Sequence, residues 1–280
     1  MNYLRHLAAV AFATLALPAF AQDITPEQDA EAMDFAMHDA VFTLYHESGH
    51  LLAHELGLPV LGKEEDAADS LAVILILNNT GDDDERFNTL VDAANGWYYS
   101  AEDSTGEGLD DLSYYDDHSL DIQRAYAMVC MMVGAEPEEF TEAAEVYALD
   151  ADQQDACIGV YQQADEAWNS LLDPHRAKTP GPTIPVKYED AGDFQIYADE
   201  LKKRGILEDL ATFLSTTFTL PAGIEIHGAL CDEPNAFYDP ESHMITYCYE
   251  LADDMYFKDI EKGGEGEEAP AAGTSGSRGG

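Results

Sequence analysis

The chain has 280 residues, and its 13 Lys and Arg against 56 Asp and Glu give a formal net charge of −43. A protein this acidic repels the phosphates that a nucleic-acid binder must neutralise, and it repels anionic membrane surfaces for the same reason. The large net charge does not indicate a disordered chain, because 46% hydrophobic and 10% aromatic residues are enough for a packed core. The composition therefore predicts a globular, very acidic protein.

The first 21 residues have the pattern of a secretory signal peptide. Arg5 and His6 precede an apolar stretch over residues 7–17, and Ala19-Phe20-Ala21 matches the small-x-small cleavage pattern. The apolar stretch is too short to span a bilayer, so we expect cleavage after this tripeptide and export to the periplasm or the cell exterior. No later segment reaches membrane-spanning length, so no membrane span is expected in the mature chain.

The body of the chain, residues 22–260, has mainly helical hydrophobic spacing and is expected to form one domain. A long helix is predicted from about Asp29 to Gly57, where Gly57 followed by Pro59 is a stop signal. A second, largely buried helix is predicted from about Glu64 to Leu77. Further helices are predicted near residues 84–101, 117–133, 137–147 and 151–172, with one or two more within 198–218.

The C-terminal third adds a small β element to this mainly α fold. Prolines over residues 180–185 indicate a loop, and the segments 224–226 and 245–249 are typical of strands. Asp239-Pro240-Glu241-Ser242 lies between the two strands and predicts a turn, hence a hairpin. Residues 261–280 contain no large apolar side chain and are predicted to form a disordered tail.

Four cysteines lie in the body, which is an even number in a chain expected to reach an oxidising compartment. We expect the disulfides Cys130–Cys157 and Cys231–Cys248, because each pair brackets a compact segment. No two cysteines have the CxxC spacing of a zinc-thiolate site.

The segment His46-Glu47-Ser48-Gly49-His50 fits the HExxH motif of zinc peptidases. Residues four apart on a helix lie nearly above one another, so both imidazoles can reach one ion. Glu47 is then positioned beside the metal-bound water as a general base. The motif predicts one Zn²⁺ per chain.

A third metal ligand is expected on the next helix. His54 lies about 12 Å along the helix axis from His46, which is too far to share an ion. Glu65 and Asp69 share one face of the next helix, so Glu65 can bind the metal while Asp69 accepts a hydrogen bond from a ligand histidine. Glu64 or Asp69 could instead bind the metal directly, because carboxylates of either length bind zinc.

An HExxH helix followed by ExxxD on the next helix resembles the gluzincin group of zinc metallopeptidases. The resemblance implies His46, His50 and Glu65 as ligands, Glu47 as the base and Asp69 as the partner of a ligand histidine. Four segments extend over almost the whole mature chain: HESGH, LPVLGKEEDAAD, DDHSLDIQRAY (116–126) and CDEPNAFYDPESHMITYCYEL (231–251). Together they are similar to an uncharacterised bacterial family of secreted proteins described as metallopeptidases.

Zincin catalysis also needs a donor for the oxyanion, commonly His, Tyr or Arg from elsewhere in the chain. The candidates are His118, Arg124 and Tyr249, with His227 and Tyr238 as further ones.

Two functions are compatible with these motifs. The first is a secreted or periplasmic zinc peptidase that cleaves peptide bonds through a zinc-activated water, with Glu47 as general base. Its acidic surface would favour cationic peptide or protein substrates. The second is a non-catalytic exported protein in which the zinc is structural and is closed by a fourth ligand such as His54 or Asp69.

Overall fold

The computed structural model describes residues 24–79, 83–104 and 117–262. These residues form nine α-helices and a four-stranded sheet near the C-terminus, which confirms the predicted mainly α class with a small β element. The predicted signal peptide and nearly all of the predicted tail lie outside the described residues. Within those residues, no helix has the length and apolar character needed to cross a membrane.

The helices are α1 (Pro26–Leu56), α2 (Glu64–Asn79), α3 (Asp83–Ser104), α4 (Asp121–Ala135), α5 (Thr141–Val146), α6 (Ala151–Leu172), α7 (Gln195–Arg204), α8 (Ile206–Thr217) and α9 (Tyr249–Lys262). The strands are β1 (Val186–Tyr188), β2 (Glu225–Ala229), β3 (Ala236–Asp239) and β4 (Met244–Cys248).

Helix α1 is the central element of the fold, and its two ends are encoded locally. Thr25 caps its first turn by accepting a hydrogen bond from the Gln28 N–H, and Pro26 occupies the first helical position. Gly57 ends the helix in the left-handed conformation, with φ 62°, and its N–H donates to the carbonyls of the last turn. Because α1 contacts α2, α3, α9 and the sheet, most of its length is buried.

The sheet has the strand order β1-β2-β4-β3. Strands β1, β2 and β4 are parallel, and β3 pairs antiparallel with β4 at the edge. The predicted turn at 239–242 therefore joins β3 to β4, while the predicted strand at 224–226 is the parallel neighbour of β4. Both β3 and β4 contact α1, which places the edge of the sheet beside the HExxH helix.

Two elements were not predicted from the sequence. Strand β1 is only three residues long and is defined by its pairing with β2, so its sequence carries little periodic signal. Helix α9 begins at Tyr249, which the sequence analysis assigned to a strand, and it includes the first two residues of the predicted tail. Its buried residues, Tyr249, Ala252, Met255 and Tyr256, do recur at helical spacing.

Both predicted disulfides are present. Cys130–Cys157 joins α4 to α6, and Cys231–Cys248 joins the segment after β2 to the end of β4. All four cysteines lie within the described residues, and each takes part in one of these two disulfides.

Candidate metal centre

Helices α1 and α2 meet closely at the HExxH motif. A Cβ atom added to Gly49 would lie 2.9 Å from the Cα and 3.0 Å from the Cβ of Ala68, so only glycine permits this approach. Ala68 lies between Glu65 and Asp69 on the face of α2 that meets α1. The contact therefore brings the carboxylates of α2 to the imidazoles of α1.

Three ligand atoms converge at this contact. The Nε2 atoms of His46 and His50 lie 3.2 Å apart, and Oε2 of Glu65 lies 3.1 Å and 3.4 Å from them, respectively. Among the described residues, this is the one group of three or more His, Cys, Asp or Glu side chains arranged so that they could hold a metal ion.

The other ring nitrogen of each histidine is bonded to a second carboxylate. Nδ1 of His46 lies 2.8 Å from Oδ1 of Asp69, and Nδ1 of His50 lies 2.9 Å from Oε1 of Glu64. When the imidazoles are neutral, these bonds place the proton on Nδ1 and leave the Nε2 lone pair directed at the shared site. Glu64 and Asp69, considered above as alternative ligands, thus contact the sides of the rings that face away from Glu65.

Glu47 is buried beside the three ligand atoms, with its side chain 8% exposed. Its Oε1 atom lies 4.0 Å from Nε2 of His46, and the backbone N–H of Tyr238 on β3 donates to its carboxylate. Burial raises the pKa of Glu47 above its ordinary value, and the charges of His46 and His50 oppose that shift only in part. The carboxylate is therefore a stronger base than an exposed glutamate.

The cluster is strongly coupled electrostatically. Burial alone would lower the pKa of His46, but hydrogen bonds to Asp69 and Glu65 outweigh it and raise the pKa to about 9. Burial would raise the pKa of Asp69, but hydrogen bonds from His46 and Arg124 outweigh it and lower the pKa to about 2. The pKa of Glu65 is likewise lowered by its bonds with His46 and His50. Without a metal, the site is an ion-pair cluster, so a cation that binds the imidazoles must displace a proton.

A family model described as "Putative metallopeptidase" (DUF4344) matches residues 11–172 and 188–276, which is most of the chain. The chain belongs to this family. The match includes every residue of the cluster described above, and it supports a metal-dependent peptidase at a coarse level. No curated protein and no solved structure is significantly similar to the chain.

In this member of the family, His118 is the oxyanion candidate that contacts the cluster. Its Nε2 atom lies 3.0 Å from Oε2 of Glu65, and half of its side chain is exposed. Lys63, in the link between α1 and α2, donates to the His118 carbonyl oxygen at 2.6 Å. His118 is thereby bonded both to the link before α2 and to the first turn of α2.

The other candidates are engaged elsewhere. Arg124 is buried against Asp69, and the Tyr249 hydroxyl donates to the Gly228 carbonyl oxygen at 2.7 Å. His227 pairs with Glu225 on the sheet. The Tyr238 hydroxyl donates to Glu55 and lies 3.2 Å from Nδ1 of His54, so His54 faces this hydroxyl.

Two contacts of the site were missed by sequence reasoning: the bond from Arg124 to Asp69 and the bond from the Tyr238 N–H to Glu47. Each joins residues far apart in the chain, and no local pattern encodes such a pairing. The signal available in the sequence was that the residues of both contacts lie in the segments that resemble the family.

Proposed function

We propose that this protein is an exported zinc-dependent peptidase in which His46, His50 and Glu65 bind the metal and Glu47 is the general base. The observation that carries the proposal is the spacing of the three ligand atoms, 3.1–3.4 Å. Zinc bonds of about 2.0–2.1 Å in a tetrahedral arrangement require ligand atoms about 3.3 Å apart. The donor set of two imidazoles and one carboxylate is also one that zinc prefers in catalytic sites.

The number of ligands favours a catalytic site over a structural one. Structural zinc sites are usually closed by four protein ligands, whereas catalytic sites keep one position for water. The two residues that could have closed the site are otherwise engaged, since His54 faces Tyr238 and Asp69 bonds His46 and Arg124. Three ligands in the described part of the chain therefore support a site with an open position.

Zinc at this position would supply a Lewis acid that lowers the pKa of water and polarises a carbonyl. Glu47 would accept a proton from the attacking water and deliver it to the leaving amine, and burial suits it to that role by raising its pKa. The Tyr238 backbone on β3 lies beside the Glu47 carboxylate and favours its charged form. We assign stabilisation of the negative charge on the carbonyl oxygen to His118, because its half-exposed ring lies beside the cluster at Glu65. Arg124 is buried against Asp69, and Tyr249 donates to the Gly228 carbonyl oxygen.

Substrate preference follows from charge and from the sheet edge. The formal charge of −43 favours cationic peptides, and β3 is the edge strand beside Glu47. An extended peptide that pairs with an edge strand gains main-chain hydrogen bonds without a fixed sequence requirement. Two disulfides are consistent with an exported protein, because such bonds persist in oxidising compartments.

The test is Glu47→Gln in the mature protein loaded with one zinc ion, assayed on a broad peptide library. We expect the variant to retain zinc and to lose turnover by about 10²–10⁴-fold, because it lacks the base but none of the proposed ligands. Glu31→Gln is the matched control, since Glu31 is an exposed glutamate of the same helix, and it should change neither zinc content nor turnover.

Three other outcomes would each be decisive. If the wild type binds one zinc but cleaves nothing, the structural-zinc function is favoured. If Glu47→Gln cleaves as fast as the wild type, Glu47 is not the base. If the wild type binds no zinc, the metal site itself is wrong.

A further inference from the structure

Arg124 on α4 lies behind the candidate metal centre and is 4% exposed. Its guanidinium donates two hydrogen bonds to Asp69, from Nε to Oδ2 and from Nη2 to Oδ1, each 2.7 Å long. The same Oδ1 atom lies 2.8 Å from Nδ1 of His46. A continuous chain of bonds therefore runs from α4 through α2 to a proposed metal ligand on α1.

Arg124 is itself held rigidly. Its guanidinium carbon lies 3.6 Å from the centroid of the Trp97 ring on α3, which is a close cation–π contact. Helix α4 is tied to α6 by the Cys130–Cys157 disulfide, less than two turns beyond Arg124. The planar group is thus fixed on one face by an aromatic ring and on one edge by a carboxylate.

This arrangement controls the direction of the Asp69 carboxylate. A carboxylate that bonded only His46 could rotate about its terminal torsion, because that torsion is broad in energy. Bonds from Arg124 to both oxygens remove this freedom and leave a lone pair of Oδ1 directed at His46. Arg124 also neutralises a carboxylate that would otherwise be buried without a full counter-charge.

We propose that Arg124 is a positioning residue of the metal centre, which acts through Asp69 to hold the His46 imidazole in its metal-binding orientation. The inference rests on the metal site of the proposed function, but it does not depend on peptidase activity. Partners of this kind typically change metal affinity by about 10–100-fold when they are replaced.

The experiment measures zinc affinity by competition with a chelator, in the full mature chain, for a double-mutant cycle. The variants are Arg124→Met, Asp69→Asn and the double variant. We expect each single substitution to weaken zinc binding by about 10–100-fold. The double variant should bind zinc about as well as Asp69→Asn alone, because Arg124 acts only through Asp69.

Arg124→Lys covers the case in which Arg124→Met does not fold. Lysine keeps the charge but has no two-pronged group, so this variant should still bind zinc less tightly than the wild type. It should also shift the visible spectrum of the Co²⁺-substituted protein, which reports ligand geometry at the metal.

Arg86→Met is the matched control for a purely structural role. Arg86 is also mostly buried, with an 11% exposed side chain, and it binds Glu136 through two hydrogen bonds. This variant should lose stability without losing zinc affinity.

The results separate this inference from the proposed function. A wild type that binds no zinc overturns the metal site. A wild type that binds zinc, with Arg124→Lys equal to it in affinity and Co²⁺ spectrum, overturns the role of Arg124 alone. Additive losses in the double variant would also overturn it, because they would show that Arg124 does not act through Asp69.

Discussion

Gly49→Ala is the substitution that most directly tests how the two site helices are held together. Alanine is the better helix former by about 1 kcal/mol, so local propensity alone predicts that the change stabilises α1. The tertiary contact predicts the opposite. The new methyl carbon would lie 2.9 Å from the Cα of Ala68. Because this is a backbone atom, no side-chain rotation can relieve the clash.

The expected displacement can be worked out from this contact. Carbon atoms pack at about 3.5–4.0 Å, so α1 and α2 must separate by about 0.5–1 Å to accept the methyl group. Glu65 lies one turn from Ala68 and moves with it. Metal sites tolerate changes of about 0.2 Å in bond length, so we expect zinc affinity to fall by about 10–100-fold.

The assay combines chelator competition for zinc affinity with urea unfolding for stability. Gly159→Ala in α6 is the control, because no heavy atom other than the nearby backbone of α6 lies within 4 Å of the added Cβ. It should gain about 1 kcal/mol of unfolding free energy and leave zinc affinity unchanged. If Gly49→Ala binds zinc as tightly as the wild type, the contact between Gly49 and Ala68 does not determine the spacing of the metal ligands, and the reasoning is refuted.

Two further predictions concern carboxylates. Burial raises the pKa of Asp39 from 3.8 to about 7, so its folded form binds a proton more tightly than its unfolded form and stability is lost as pH rises through 7. In urea unfolding at saturating zinc, the free energy of unfolding of the wild type should fall by about 2 kcal/mol relative to that of Asp39→Asn between pH 5.5 and 8.5. The exposed control Asp155→Asn should follow the wild type. Equal pH dependence of stability in Asp39→Asn and the wild type would contradict the prediction. Glu65→Gln should weaken zinc binding by more than about 100-fold and Glu64→Gln by about 10-fold, because only Glu65 faces both Nε2 atoms. The reverse order in chelator competition would make Glu64 the ligand.

Local sequence patterns were sufficient to predict the parts of the fold and of the site that depend on helical spacing. The first two helices and their order followed from apolar periodicity and from the stop signal at Gly57, and the structure has them as α1 and α2. The turn at 239–242 was also predicted, and it joins β3 to β4. The predicted first strand of the hairpin, 224–226, was wrong as its partner, because it belongs to β2, which is parallel to β4. The two helices and the turn could be predicted because the residues that encode them are neighbours in the chain.

The pairing of β2 with β4 could not be predicted from local sequence patterns. Both segments have strand character, but they are parallel because the chain passes through β3, which pairs antiparallel with β4 at the edge of the sheet. Helix α9 was missed although its buried residues have helical spacing, because the β-branched and aromatic run before it extended the predicted strand to Tyr249.

The sequence by itself determined that two histidines share one face of a helix, with a glutamate between them in the chain, and that a carboxylate pair shares one face of the next helix. This is so because a spacing of four residues has the same geometry in every helix. Only the tertiary structure decided which carboxylate faces the imidazoles, that Arg124 bonds Asp69 and that the Tyr238 backbone on β3 lies beside Glu47. Those contacts join residues up to about 190 positions apart, and the energy that selects them comes from burial and charge pairing in the assembled fold, which no local pattern contains.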